Sequence, residues 1–538
     1  MPHLAITIGP IYQTMSLAKK TRELWSASFT FSKLMKHLIS SFSIHGSLIS
    51  PSLKVVEPLH GAGVYADRCF FELNTGVLTE NQIETCKKNA LAAFSGETGI
   101  SNAGDYYQIY IVQSASLSQP VREMAQMLDV LELQQNYLPV QKQDWSKQWS
   151  HSTYFQRLYA IGYDKHDDLL PELLLKKNKS IKRFPSIVEI STNEFAKRDE
   201  DTYWSAIGYQ GITEKGKENK FTRKINPDRD EEIDDDDEIL DKIKRAFPDQ
   251  FLFRHKYFSV VLADGDNVGA LMGEIEQQGG SLSQFSDLIA SYAADASKML
   301  VKYGAFPVYL GGDDLMFFAP LANSFNNDLF NIPSVAHGNI FGNNLFFLLR
   351  YLNETFRKKM QPLIEKHEIP VSLSFGVMCG YYKQPLSEIL QLSYANLFDN
   401  AKSQPGKNYI AMQVQKHSGQ SFHLGFKQEG ELYESFLKMS QEATNKEMPF
   451  LNSVMYKLGD QKMVLDLIGN DKNRLDIFFK NNFNESGHEL YEGFFKATAF
   501  LIYRVFTEYS YLSLADKMEK IYGALRFVHF INAKDVSE

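Results

Sequence analysis

The sequence predicts an α+β protein in which two strand-and-helix regions precede a helical C-terminal bundle. Three observations carry this reading. Residues 257–263 (YFSVVLA) form a continuous apolar run, as a strand buried on both faces requires. Val371, Leu373, Phe375 and Val377 alternate with small or polar residues, the period of a half-buried strand. Beyond residue 425 the apolar spacing is helical to the end of the chain, with few strand signals.

The chain has 538 residues, and at about 150 residues per domain it accommodates three or four domains. With 44% hydrophobic and 23% charged residues, the composition argues against a wholly disordered chain. Cys69, Cys86 and Cys379 lie far apart, which excludes a disulfide framework and a four-thiolate zinc site and points to a reducing compartment. Residues 1–8 read as a strand, so no signal peptide is expected. The most apolar helical stretch, 490–506, contains Glu492, Lys496 and Arg504 and is too short and too charged to span a bilayer. A cytoplasmic protein with no membrane partner is the expectation. The net charge of −8 argues against autonomous nucleic-acid binding and leaves room for a protein-bound RNA.

In chain order, a strand at 3–8 meets Gly9-Pro10, and a helix over about 12–39 carries Leu17, Leu24, Phe31, Leu34 and Leu38 on one face. The segment 215–241 sets a basic run (KGKENKFTRK) against an acidic one (DRDEEIDDDDEILD) and reads as a solvated linker or insertion. After the strand at 257–263, the spacing of Phe285, Leu288, Ile289, Tyr292, Ala296, Met299 and Leu300 predicts a helix. A hairpin around 311–314, helices near 340–366 and 386–402, and a last strand at 409–414 follow. In the helix over 490–506, Leu490, Phe494, Ala497, Leu501 and Val505 share the face expected to pack in the bundle. The expected domains are 1–185, an insert at 186–255, a central domain at 256–420 and the bundle at 421–538.

Two acidic clusters in the central domain point to chemistry. Asp264-Gly265-Asp266-Asn267 directly follows the buried strand, and Gly311-Gly312-Asp313-Asp314 sits between two apolar runs. A strand end beside a hairpin brings these carboxylates together, and unpaired carboxylates at close range repel one another and lose hydration. Divalent cations between them resolve the conflict. Hard oxygen ligands favour Mg²⁺ or Mn²⁺, which complete their octahedra on a substrate phosphate. Two such ions activate an attacking hydroxyl and steady a pyrophosphate leaving group. Gly311 and Gly312 allow a tight turn and leave space for a nucleotide. Gly-Gly-Asp-Asp between strands is also an ordinary hairpin turn; its pairing with the Asp-Gly-Asp strand end favours the functional reading. Lys402 ends a helix aimed at the same place, where a compact cation would offset a triphosphate, although helix-end lysines also answer the macrodipole.

The order of a strand ending in Asp-Gly-Asp, a Gly-Gly-Asp-Asp hairpin and an Ala-Lys…Gly-Lys-Asn helix end resembles the palm domain of nucleotide cyclases and polymerases. The segments LADGDNVGALM, YLGGDDLMFFAP and GKNYIAMQVQKHSG are similar to the large polymerase-like subunit of type III CRISPR effector complexes, most of all the Cmr (type III-B) branch. IGPIYQTMSLAKKTRELWSASFTFSKLM and GVYADRCFFEL resemble that branch's N-terminal segment. The resemblance implies two palm domains, ferredoxin-like and nucleotide-cyclase-like, plus the helical bundle. It implies a target-RNA-activated synthase of an adenosine second messenger from ATP, with two Mg²⁺ or Mn²⁺ ions, acting with other effector subunits, crRNA and target RNA. Carried over by position, Asp264, Asp313 and Asp314 are the catalytic metal ligands and Gly265 a backbone ligand. Gly265, Asp266, Asn267, Gly311, Gly312, Lys402 and Lys407 are nucleotide-binding; Asp266 and Asn267 also fit as caps of the next helix.

The chain departs from its relatives in three respects. No His-Asp nuclease domain is expected ahead of the palm-like segment, and His166-Asp167 is a lone dipeptide with no nuclease role expected. The chain lacks the cysteines of a zinc module. Its first palm has Gly9-Pro10 where the active one has Asp-Gly-Asp, with no metal carboxylates expected at the matching places. The leading expectation is cyclic oligoadenylate synthesis. The alternatives are the same site joining AMP to S-adenosylmethionine, a free-standing cyclase, and a non-catalytic scaffold.

Overall fold

The computed structural model describes residues 1–52, 62–100, 103–133, 185–207, 235–325, 329–444, 450–483 and 488–535, with two short paired segments at 175–176 and 179–180. His166-Asp167 and the part of the charged segment at 215–234 lie outside the described residues.

Two sheets share one topology. The first contains β1 (His3–Gly9), β2 (Gly46–Ser50), β3 (Arg68–Leu73) and β4 (Gln108–Ser114), in the order β2-β3-β1-β4 and antiparallel throughout. Helices α1 (Ile11–Ser16) and α2 (Thr21–Phe42) connect β1 to β2, α3 (Glu80–Thr98) lies between β3 and β4, and α4 (Pro120–Glu132) follows β4. This is the β-α-β-β-α-β ferredoxin-like arrangement. The single helix expected over 12–39 is two helices because Glu23 accepts from the backbone N–H groups of Lys19 and Lys20 and starts α2 afresh.

The second sheet is larger. Its strands are β5 (Tyr257–Asp266), β6 (Phe306–Gly311), β7 (Asp314–Ala319), β8 (Ser372–Tyr381), β9 (Tyr409–Gln415) and β10 (Ser421–Lys427), in the order β10-β9-β8-β5-β7-β6. Helices α5 (Val268–Gln277) and α6 (Leu282–Tyr303) lead from β5 to β6, α7 (Leu345–His367) from β7 to β8, and α8 (Leu386–Ala395) from β8 to β9. The four strands β5 to β8 repeat the ferredoxin-like order of the first sheet, and β9 and β10 extend it. The expected boundary at 420 therefore falls beside a strand, since β10 pairs with β9 from Ser421↔Gln415 to Lys427↔Tyr409. A hairpin of Phe330–Ser334 with Gly338–Gly342, also unforeseen, precedes α7.

The continuous apolar run of β5 serves two cores at once. Tyr257, Val261 and Ala263 pack with Tyr292, Phe356 and the C-terminal helices, while Phe258, Val260 and Leu262 pack with Leu34, Phe71 and Trp204. Alternate side chains point to opposite faces, so a strand sandwiched between cores must be apolar at every position. The first sheet's domain also seals the edge of β6: Gly63 donates to Val308 O at 3.1 Å, and Leu310 donates to Gly63 O at 2.8 Å.

Between the sheets, helices Ile187–Ser191, Asn193–Arg198, Glu200–Ala206 and Asp235–Ala246 pack on the second core. The acidic run is thus a linker only in part. From Asp235 it is helical, Ile239, Leu240 and Ile243 are buried, and Asp237 pairs with Lys383 at 2.6 Å and bonds Tyr382. Glu194 anchors the junction by bonding Arg254 (3.0 Å), His255 and Ser324, while Arg254 also donates to Ile531 O at 2.7 Å. The C-terminal region contains Glu431–Ala443, Leu451–Asp460, Lys462–Ile468, Lys472–Asn482, Glu492–Glu508 and Leu514–Asn532. Phe494, Ala497, Leu501 and Val505 are buried as expected, but Leu490 precedes the helix and is 75% exposed. Among the described residues no helix is long and apolar enough to cross a membrane.

Candidate active site

The site forms where β5 ends beside the β6–β7 hairpin. Ala263 pairs with Leu315 and Gly311 with Asp314, so the next residue of β5, Asp264, meets the first residue of β7, Asp314. The Asp264 and Asp314 carboxyl groups lie within hydrogen-bonding range of each other. Gly312 adopts φ +89° at the first central position of a two-residue turn, where the strand twist demands a glycine. Asp313 follows it and lies against Gly265, at which even a single added Cβ would run into the Asp313 carboxylate and Val268. The bare Cα of Gly265 is therefore what lets Asp313 approach the strand.

Electrostatics bears the strain of this convergence. Burial, then repulsion from Asp264, raises the Asp313 carboxyl above the usual carboxylate range. Asp314, although open to solvent at its tip, is raised further by burial and by repulsion from Asp313 and Asp264. Asp67 adds a fourth carboxylate, itself raised by burial and felt by both hairpin residues. It sits just before β3, the strand that corresponds in the first sheet to β7, and its carbonyl accepts from Ile8 N–H at 3.2 Å. The first palm thus brings a carboxylate to the cleft, although no metal carboxylate is expected of it from the sequence. The only sequence signal is an Ala-Asp-Arg directly ahead of an apolar strand. A cleft of about 240 Å³ runs between the two sheets, lined by Ile8, Tyr12 and Asp67 on one side and Asp264, Asp314 and Phe398 on the other.

Other expected site residues fall in different places. Asp266 is 1% exposed, and its carboxylate accepts from Ser372 (2.7 Å), Ser374 (2.8 Å) and Asn408 N–H (2.9 Å), tying β5 to β8 and to the loop before β9. Strand alternation alone would put Asp266 on the same face as Asp264, two residues before it; the bonds to Ser372, Ser374 and Asn408 draw it inward instead, and it neither lines the cleft nor caps α5. Asn267 has a left-handed φ of +60°, donates to Pro370 O at 3.0 Å and makes no side-chain cap. The space above Gly311 is taken by the ring of Tyr309, drawn there by the strand irregularity at Pro307/Tyr309, so that glycine makes room for a protein side chain. Lys407 lies in a turn with φ +47° and forms no ion pair with the described carboxylates.

Lys402 does arrive at the cluster, by a route the sequence does not announce. After α8 the helix widens to a π-helix over Asn396–Ala401, and Lys402 N–H donates to Leu397 O at 2.8 Å. Asn396 donates to Val377 O at 2.9 Å, and Gly376 on β8 lets this turn lie directly on the strand. The Lys402 ammonium reaches Gly265 O at 2.7 Å, Asp266 at 3.0 Å and Asp264. Burial opposes its charge, but Asp264 and Asp266 outweigh this and raise it. Among the described residues no group of three His, Cys, Asp or Glu side chains is already placed around one metal ion. The donor chemistry nevertheless suits a hard divalent cation: Asp264, Asp313, Asp314 and the Gly265 carbonyl supply only oxygens, from carboxylates that protein alone leaves in mutual repulsion.

Residues 257–411 match the family model of the Cas10/Cmr2 second palm domain, and residues 3–83 match that of the Cmr2 N-terminal domain. The chain is Cas10/Cmr2-like. It is 24% identical over 249 residues to the CRISPR system Cmr subunit Cmr2 of Pyrococcus furiosus, a match that covers 41% of this chain and 24% of that relative. The aligned part thus spans about a quarter of the relative's length. In fold, the Cas10/Cmr2-like chain is similar to a chain of the type III-B Cmr-beta complex in the apo state, with a TM-score of 0.56 at 12% identity over 90% of this chain and 77% of that one. It is also similar to a chain of Cmr-beta bound to cognate target RNA, with a TM-score of 0.53 at 11% identity over 93% and 83%.

Proposed function

We propose that this chain is the nucleotidyltransferase subunit of a type III-B CRISPR effector complex, joining ATP into a 3′–5′ linked adenosine messenger when target RNA is bound. The observation that carries the reading is the convergence of Asp264, Asp313 and Asp314 where β5 ends beside the β6–β7 turn, inside a domain that matches the Cas10/Cmr2 palm. Two Mg²⁺ or Mn²⁺ ions, when bound, supply charge neutralisation at an α-phosphate under attack and at the departing pyrophosphate. Asp264, Asp313, Asp314 and the Gly265 carbonyl are the groups that would hold them. Gly265 and the Gly312 turn keep the hairpin carboxylates against β5. Lys402 is a compact cation within reach of the phosphates. The cleft between the sheets takes the adenosines and screens the reacting groups from water. Cyclic oligoadenylate is the product this reading favours.

The test uses the reconstituted effector with crRNA, target RNA, Mn²⁺ and α-labelled ATP, with and without S-adenosylmethionine. Oligoadenylates that form in both tubes, need target RNA and vanish in the D313A/D314A variant support the reading. A product that appears only with S-adenosylmethionine, at the mass of its AMP adduct, replaces the acceptor. ATP left intact in both tubes refutes the enzyme and favours the scaffold.

A further inference from the structure

Lys402 occupies a position that the proposed function reserves for something else. Its ammonium bonds Asp264 and the Gly265 carbonyl, two of the oxygen donors that would hold a divalent cation. All its partners are oxygens, and it is only 11% exposed. The π-helix and the close seat on Gly376 fix where the lysine enters, so the long side chain is aimed at this spot by the backbone. We propose that Lys402 is a tethered counterion that fills the cation position of the resting site and must leave Asp264 before a divalent cation can enter. The inference rests on the reading of Asp264, Asp313 and Asp314 as cation ligands.

The surroundings fit an exchange. Asp266 is held by Ser372, Ser374 and Asn408 whether or not Lys402 is present, so it stays in place as a fixed anchor for the ammonium's return. Among the described residues Asp264 has no comparable set: the Lys402 ammonium is its ion-pair partner, and Asp314 lies beside it. Releasing Lys402 therefore frees Asp264 and the Gly265 carbonyl together. A nucleotide triphosphate offers the departing ammonium a new anionic partner, so nucleotide and divalent cation favour each other's arrival through one side chain. Without nucleotide, the lysine competes with the cation and weakens its binding.

The experiment measures Mn²⁺ binding to the full-length chain without nucleotide, by the electron paramagnetic resonance signal of free Mn²⁺, for wild type and Lys402→Met. Removing the ammonium is expected to tighten nucleotide-free Mn²⁺ binding by about tenfold, within the usual span of such couplings. Equal or weaker binding by the variant overturns the proposal. Asp264→Asn tests the underlying reading separately: if it leaves wild-type Mn²⁺ binding unchanged, the ligand assignment fails, whatever Lys402→Met does. A wild-type measurement guards against a variant that misfolds. Amine-directed acetylation of Lys402, read by peptide mass, is expected to be slow in the resting chain and to rise when Mn²⁺ alone is added. Labelling that saturating Mn²⁺ does not change overturns the exchange.

Discussion

Replacing Asp266 with Ala distinguishes a residue that builds the site from one that binds nucleotide. The carboxylate is 1% exposed and accepts from two serine hydroxyls, one backbone N–H and the Lys402 ammonium. Hydrogen bonds to a buried charge contribute about 1.5–3 kcal/mol each, but bonds within one network do not add. Breaking a buried ion pair by deleting one partner costs about 3–5 kcal/mol, and that range bounds the whole effect. The loss falls on the β5–β8 seam and the loop before β9, which together hold Lys402 and Asp264 in register. In a domain of this size, each kcal/mol lowers Tm by about 2–4 °C, so the second palm should melt roughly 6–20 °C lower. Differential scanning calorimetry of the metal-free, nucleotide-free chain measures it, with Asp264→Asn as the half-exposed control. A Tm within about 2 °C of wild type for Asp266→Ala would refute the reasoning.

Three further outcomes follow from the same geometry. The folded pKa of Asp313 and Asp314 lies above the unfolded value, so their contribution to stability is full below the unfolded value and is lost as pH rises through the folded one. The D313N/D314N variant should therefore be more stable than wild type near pH 8 in EDTA, by about 1 kcal/mol after solvent screening, with the gain absent near pH 4; thermal melts across pH check this. Gly265→Ala should push Asp313 off the strand at a cost of about 1–3 kcal/mol and weaken Mn²⁺ binding measured with an ATP analogue that does not turn over. Glu194 has its folded pKa lowered, burial opposing the shift and Arg254 and His255 driving it, so its contribution is present above the unfolded value of 4.5 and is lost as pH falls toward the folded one. Glu194→Gln should cost about 3–5 kcal/mol at neutral pH, with the difference from wild type narrowing below pH 4.5 in urea titrations.

Much of the site was legible in the sequence because its chemistry is carried by short contiguous signals. An apolar run that stops at Asp264 states where a buried strand surfaces, and Gly311–Asp314 between two apolar runs states where a hairpin turns. Those two signals place Asp264 beside Asp314, since strand pairing next to a two-residue turn leaves little choice of register. The helical C-terminal region was legible for the same reason, because 3.6-residue periodicity is local. Asp266 shows the limit: it sits two residues from Asp264, yet burial and its bonds are decided by β8 and by Asn408, both more than 100 residues away. Gly311 likewise reads as open space until Tyr309 is seen to fill it.

Asp67 and the end of β10 belong to the tertiary structure alone. Asp67 reaches the cleft because the first palm packs against the second there, and packing between segments remote in sequence leaves no trace in local periodicity. The sequence by itself determined the strand ends, the hairpin and the carboxylates they present, because those depend on neighbours a few residues apart. The position of Lys402 in the oxygen cage, the fourth carboxylate and the inward turn of Asp266 were decided only by packing, since each depends on contacts between segments that meet only in the folded chain.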